Sequence, residues 1–379
     1  MARTIGWEEL RSLAAFEAEK GCAISVYLDL DPSVAPTAGD AAARLNSLLD
    51  EAGKSPGANR RDLTHDQRRA LRADLERIRR FYADEFSREG ARGLAVFAAS
   101  PDNVWRPLPL TEPVADAVKV GRHFYLAPLV PLVGRGEGAL VVVVSREQGQ
   151  FYRLSAGRLE EVADYFEEQP RRHDQGGWSQ ARYQRHVDEL AEEHLRRVAA
   201  ALDTLVRRLR GPQVVVVASA ETWAELSQLL SQEARNAVVG CTHAEAHAGA
   251  PELLELTLPV LERWRAERER ALVERWREEA GRNGRATSGW VQTLEAASDG
   301  RVELLLFRDG IAPAAWRCPA CGRLAAREGD CPLDGTRMER SEDGIDLAVH
   351  QTLTHGGKVW LVQGRELDPV DGVGAILRF

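Results

Sequence analysis

Apolar and polar positions alternate along residues 23–30, where Ile24, Val26 and Leu28 are interleaved with Ser25, Tyr27 and Asp29. A period of two predicts a half-buried strand, and a helix running to about residue 20 precedes it. The Pro-, Ala- and Gly-rich stretch 32–40 reads as a loop, 41–50 and 64–86 as charged helices, and 93–99 as a second strand. A glycine cluster at Gly134, Gly136 and Gly138 marks a boundary. Beyond it lies an unbroken apolar strand at 139–144. Turns at 148–150 and 155–157 then join 151–154 and 158–165 to it as a three-stranded meander. After a polar loop at 167–180, Val187, Ala191, Leu195, Val198, Leu202, Leu205 and Leu209 recur at gaps of three and four. That single stripe predicts a long helix, stopped by Gly211-Pro212 just before a buried strand at 213–218.

Strand, helix and strand at this spacing predict an α/β layer on a mainly parallel sheet. A long charged helix at 259–280 leads into a last segment with a helix at 289–298 and a strand at 302–307. A helix at 345–355, a strand at 358–362 and a glycine-rich ending at 372–379 follow. The expected fold class is α/β in three domains. These are an N-terminal α+β domain (1–134), a middle α/β domain with the long helix (135–266), and a C-terminal α+β domain (267–379). The last carries a zinc-ribbon-like insertion at 316–340. A length of 379 residues agrees with two or three domains.

Charge and cysteine usage narrow the function classes. Fifty Lys+Arg against 58 Asp+Glu give a net charge of -8, so any nucleic-acid contact has to come from a local basic patch. No apolar run approaches the roughly 18–20 residues of a membrane span. The polar, acidic N-terminus lacks the apolar core of a signal peptide, and a cytoplasmic setting is expected. Five Cys is an odd number, and three of them fall at Cys318, Cys321 and Cys331. That grouping points to a metal site in a reducing compartment rather than a disulfide framework.

Two stretches carry candidate chemistry. In the first, Gly176-Gly177 stands among Arg171, Arg172, Arg182 and Arg185, with Trp178 and Gln180 just beyond. Arginine forks suit phosphate, and a backbone without Cβ can approach another molecule closely. Such a loop could enter a nucleic-acid-lined cavity, with Trp178 stacking on a base, or it could be a surface loop capped by ordinary arginines. The second reads Cys318-Pro-Ala-Cys321-Gly and Cys331-Pro-Leu-Asp334-Gly. Matched turns of this kind supply paired zinc ligands, and Asp334, His350 or His355 could be the fourth. A hairpin that has lost its metal is the alternative, and in either case the role is structural. Cys22 and Cys241 read as core thiols. Trp223, Trp264 and Trp276 fall at helical positions and are expected to pack into cores or domain joints.

From Gly138 onward the chain resembles the archaeo-eukaryotic class I peptide chain release factor and Pelota superfamily, and its bacterial members in particular. The resemblance rests on the strand at 139–144 with its hairpin, the basic Gly176-Gly177 loop running through 180–185 into a long helix, the helix-then-strand at 289–307, and the ending at 372–379. It covers about two thirds of the chain. In that family a Gly-Gly-Gln loop promotes hydrolysis of the ester between peptide and tRNA on the ribosome. Here the glutamine arrives two residues late, as Gly176-Gly177-Trp178-Ser179-Gln180. By resemblance to the peptidyl-tRNA hydrolases of ribosome quality control, Gln180 is the catalytic candidate, with Gln175 as runner-up. The resemblance implies the ribosome and peptidyl-tRNA as partners, a translational GTPase as a further one, and no catalytic cofactor.

Family members that decode stop codons carry Asn-Ile-Lys-Ser and Tyr-x-Cys motifs in the N-terminal domain. Neither is present, and Asn46-Ser47-Leu48-Leu49 is no substitute. The expected function is therefore peptidyl-tRNA hydrolysis in termination or rescue without stop-codon decoding. Two rivals stay open: a non-catalytic Pelota-like or hibernation-type occupant of the ribosomal A site, and a tRNA nuclease using His173 and Asp174.

Overall fold

A computed structural model describes residues 5–55, 57–58, 63–88, 90–133, 138–155, 158–166, 178–209, 211–244, 248–282 and 284–379. The chain forms two compact units, one made of residues 1–134 with 269–379 and the other of residues 135–268.

In the first unit a four-stranded antiparallel sheet runs in the order Val104–Leu110, Gly93–Ala99, Ala23–Asp29, Ala117–Gly121. The strand Ala23–Asp29 is central and buried on both faces, not half-buried. Ile24, Val26 and Leu28 pack under the helices Ala38–Lys54 and His65–Arg80, while Ala23 and Tyr27 face a second core. Both helices start at capping boxes, Thr37 with Asp40 and Thr64 with Gln67. The first box explains why this helix begins inside the stretch expected to be loop: the Thr37 side chain accepts from the Asp40 N–H and the Asp40 carboxylate from the Thr37 N–H, satisfying two end donors. The N-terminal helix is shorter than expected, Trp7–Ala14, and the chain after it is held by the Ala18 N–H on the Arg122 carbonyl.

The second core of this unit is shared with residues 290–377. Trp290, Leu294, Leu305, Phe307 and Leu353 pack in one cluster with Tyr27, Phe97 and Phe124. Their scaffold is a sheet in the order Ala286–Ser288, Val373–Leu377, Val302–Arg308, Lys358–Val362, in which only the last pair is parallel. The helices Trp290–Ser298 and Gly344–Thr354 lie with that core. A smaller sheet, Leu324–Ala325, Ala315–Arg317, Glu339–Ser341, forms the cysteine-bearing insertion.

The second unit holds a five-stranded sheet in the order Arg158–Phe166, Gln148–Ser155, Leu140–Val144, Val214–Val217, Val238–Thr242. The last three strands are mutually parallel and the first three form the expected antiparallel meander. One face is covered by the helix Trp178–Arg208, whose Leu195, Val198, Leu202 and Val206 pack on Leu140, Val142, Phe151, Val214 and Val216. The other face packs Val141, Val215 and Val217 with Leu253 and Leu261 of the helix Ala250–Gly281. That helix starts nine residues before the expected Pro259. Pro251 stands in its first turn, where a missing N–H costs nothing, and Pro259 is tolerated inside it. Cys241 corrects another expectation: it lies in the edge strand Val238–Thr242 and is exposed, whereas Cys22 is buried. The expected packing of the tryptophans holds for Trp276, which is buried, and Trp223 packs partly buried against the core.

Candidate functional site

The strand Arg158–Phe166 and the helix Trp178–Arg208 bracket the basic glycine stretch. Arg171, Arg172, His173, Asp174, Gln175, Gly176 and Gly177 lie outside the described residues. The helix begins at Trp178, so 178–180 are helical and not the end of a loop. Trp178, Gln180 and Arg182 are its first, third and fifth residues, and Arg185 its eighth. Once the two glycines are passed, the residues through Arg185 are ordinary helix formers and nothing delays nucleation. The N–H groups of a first helical turn have no acceptor within the helix and carry its positive end.

The long helix is tied to its neighbours by ion pairs. Arg146, in the turn between the first two strands of this unit, reaches Asp188 (3.2 Å) and Glu225 (3.0 Å). Gly149 lies directly under Val198: a Cβ there would come within 2.5 Å of the valine Cγ2. The helix therefore seats tightly on the hairpin a few turns beyond its start.

The cysteine insertion presents a more complete geometry. Cys318 Sγ lies 3.4 Å from Asp334 Oδ2, and Cys321 Sγ lies 3.5 Å from Cys331 Sγ. All four donor atoms fall within 4.8 Å of one another. A tetrahedral zinc with bonds of about 2.3 Å to sulfur and 2.0–2.2 Å to oxygen has ligand–ligand edges of roughly 3.5–3.8 Å, so the group fits that ion. Both knuckles close the same way. Gly322 N–H donates to the Cys318 carbonyl (2.9 Å) and Gly335 N–H to the Cys331 carbonyl (2.8 Å), with φ of 77° and 71°. Only glycine takes that backbone region without strain, which explains Gly one residue after each pair. The Thr336 N–H (2.9 Å) and hydroxyl hold the Asp334 carboxyl well below the usual carboxylate range, ready as an anionic ligand.

Neither histidine alternative joins the group. His350 has its ring nitrogens against the carbonyls of Ala14 (3.3 Å) and Phe124, and His355 Nδ1 faces the Gln351 carbonyl at 2.8 Å. Cys318 and Cys331 are buried with Met338, while Cys321 and Asp334 reach the surface. Four protein donors leave no open position, so a metal here would be structural.

One arrangement escaped the sequence reading. Asp346 is buried and accepts from the N–H groups of Leu126 (2.6 Å) and Ala127 (2.9 Å), with His350 Nε2 3.9 Å from its other oxygen. The pair stands one helical turn apart on Gly344–Thr354, a spacing too common to be a signal by itself.

The chain is similar to the archaeo-eukaryotic release factor and Pelota superfamily. Residues 125–262 match the model of Bacterial archaeo-eukaryotic release factor family 10. Over its whole length the chain is 24% identical to peptide chain release factor subunit 1 of Archaeoglobus fulgidus, of which it covers 98%. Over 71% of its length it is 25% identical to the Thermoplasma acidophilum protein of the same name, covering 70% of it. Among solved structures it is similar to the archaeal translation termination factor aRF1, at 16% identity over 99% of each chain with a TM-score of 0.28. It is also similar to Archaeoglobus fulgidus Pelota, at 13% identity over 100% of this chain and 94% of that one, with a TM-score of 0.33. Among the described residues no helix is long and apolar enough to cross a membrane.

Proposed function

We infer that this protein acts on the ribosome as a release-factor-like peptidyl-tRNA hydrolase that does not decode stop codons. The observation that carries the reading is the end-to-end similarity to peptide chain release factor subunit 1 combined with Gly176-Gly177 and Gln180 at the entrance to the long helix. Catalysis is assigned to Gly176, Gly177 and Gln180, and RNA contact to Arg171, Arg172, Trp178, Arg182 and Arg185. The segment 135–266 is the catalytic domain, and a translational GTPase is the proposed partner of it and of the segment 267–379.

The chemistry follows from the side chain. An amide does not titrate near neutral pH, so Gln180 is no general base. It orients the attacking water, or its backbone N–H meets the developing oxyanion, while ribosomal RNA and the tRNA terminus complete the site. The isolated protein should therefore be nearly inactive. Cys318, Cys321, Cys331 and Asp334 hold a structural zinc that fixes the insertion at 316–340.

The two-residue displacement of the glutamine favours a second reading, an A-site occupant without hydrolysis. Stalled ribosomes carrying labelled peptidyl-tRNA separate the two. Wild type should release peptide and leave intact tRNA, and both Gln180→Ala and Gly177→Ala should abolish release without abolishing binding. Binding by all three proteins with no release by any would reject the hydrolase and leave the occupant. A shortened tRNA would indicate a nuclease instead.

A further inference from the structure

Between the cysteine insertion, the helix Gly344–Thr354 and the end of the helix Trp7–Ala14 lies a cavity of about 320 Å³. Its polar lining includes Glu17, His123, Arg317, His350 and Gln351, and Leu324 and Leu347 are among its apolar walls. The knuckle Cys318–Gly322 supplies one side, pinned by the Gln351 amide donating to the Gly322 carbonyl at 3.0 Å.

The charges in this cavity are not mutually satisfied. Arg317 ends the strand Ala315–Arg317 and is half-buried, and its guanidinium makes no hydrogen bond or ion pair among the described residues. Its five donors are therefore available to a molecule in the cavity. Glu17 does not pair with them. Its Oε1 lies 3.6 Å from His123 Nε2 and 3.9 Å from Arg122 Nη1. Nor is His123 a rival cation: burial, then the charges of Arg317 and His350, depress its pKa to about 4, and its Nδ1 faces the Phe16 carbonyl at 3.2 Å. At neutral pH the cavity thus offers one cation and one carboxylate that do not pair.

We propose that this cavity binds a small zwitterion of the class of the free aliphatic α-amino acids, its carboxylate on the fork of Arg317 and its ammonium toward Glu17. Size, charge and lining agree. The volume lies at the small end of ligand cavities, about 300–1,000 Å³, which suits a compact molecule rather than a nucleotide. A guanidinium matches a carboxylate in two-pronged fashion. A plain anion would meet the Glu17 carboxylate, whereas a zwitterion turns that repulsion into a second contact. Leu324 and Leu347 offer surface to a short aliphatic side chain.

Calorimetric titration of the full chain with L-alanine, L-valine, sodium acetate, inorganic phosphate and methylamine tests the assignment. Saturable binding of at least one of the two amino acids is expected, with acetate, phosphate and methylamine each at least about tenfold weaker. Arg317→Gln and Glu17→Gln should each weaken amino-acid binding by at least about tenfold while leaving the thermal midpoint near that of wild type. Ala320→Trp, an exposed position at the cavity wall, should block binding without touching either charge. Absence of saturable binding by both amino acids would overturn the proposal. So would acetate or phosphate binding as tightly as the amino acids and indifferently to Glu17→Gln.

Discussion

His123 shows how one side chain can set a pH dependence for its whole unit. Its ordinary pKa of 6.5 falls to about 4 in the folded protein, because burial and the charges of Arg317 and His350 oppose protonation more than Glu17 favours it. Between those values the unfolded chain binds a proton that the folded one refuses, so stability from this residue is complete above about pH 6.5 and is lost as the pH falls toward 4. The loss amounts to about 3 kcal/mol at most. Asp346 works the other way: burial raises its pKa, so its contribution is lost as the pH rises through the raised value. Comparing wild type with His123→Gln isolates the histidine. Chemical denaturation at pH 7 and pH 4.5 should show the wild type losing more stability than the variant. Equal losses would reject the assignment. At the same scale Asp334 was legible in the sequence because the two Cys-Pro-x-x-Gly turns match position for position. Arg317 was not, since an arginine without a partner is a property of its surroundings and not of its neighbours in the chain.

At the level of elements, Gly149 separates what periodicity conveys from what it does not. In sequence, Gln148-Gly149-Gln150 reads as a turn, but the turn is made at 145–147 and Gly149 is already a strand residue opposite Val144. Its lack of a side chain serves close approach to Val198, a stiff β-branched residue of the buried helix face. Gly149→Ala should therefore overpack this contact and cost about 1–3 kcal/mol in urea denaturation, with loss confined to the unit 135–268. A neutral effect would mean that the helix can shift freely on the sheet. The strands at 93–99 and 139–144 and the long apolar stripe were legible because a repeated period survives any tertiary context. The strands Val104–Leu110 and Ala117–Gly121 were not. Pro107 and Pro109 break the pattern of the first, which is permitted because it is an edge strand. The early start of the helix Ala250–Gly281 was obscured in the same way, by an interior Pro259 that looks like a helix opening.

For the whole molecule, the decisive feature is that the first and last parts of the chain share one core. Leucines and aromatics from both fill a single cluster, and no local pattern encodes a pairing between residues more than 200 apart. Asp346 fixes that pairing, because its Oδ1 satisfies two N–H groups, the buried one of Leu126 and the part-buried one of Ala127. His350 adds contacts to the carbonyls of Ala14 and Phe124 one turn further along the same helix. Removing the carboxylate should cost more than an ordinary hydrogen bond, since it strands two donors at once: Asp346→Ala is expected to lose about 2–4 kcal/mol. Asp346→Asn keeps a carbonyl oxygen at the same place and no longer buries a charge, so it should fall well short of that loss. Hydrogen exchange gives the sharper readout. In Asp346→Ala the amides of Leu126 and Ala127 should lose protection together with the strands Ala23–Asp29 and Val302–Arg308 that flank the shared core, while Val214–Val217 in the other unit keeps its own. If only the two local amides exchanged faster, Asp346 would be a loop anchor and the joint core would rest on apolar packing alone.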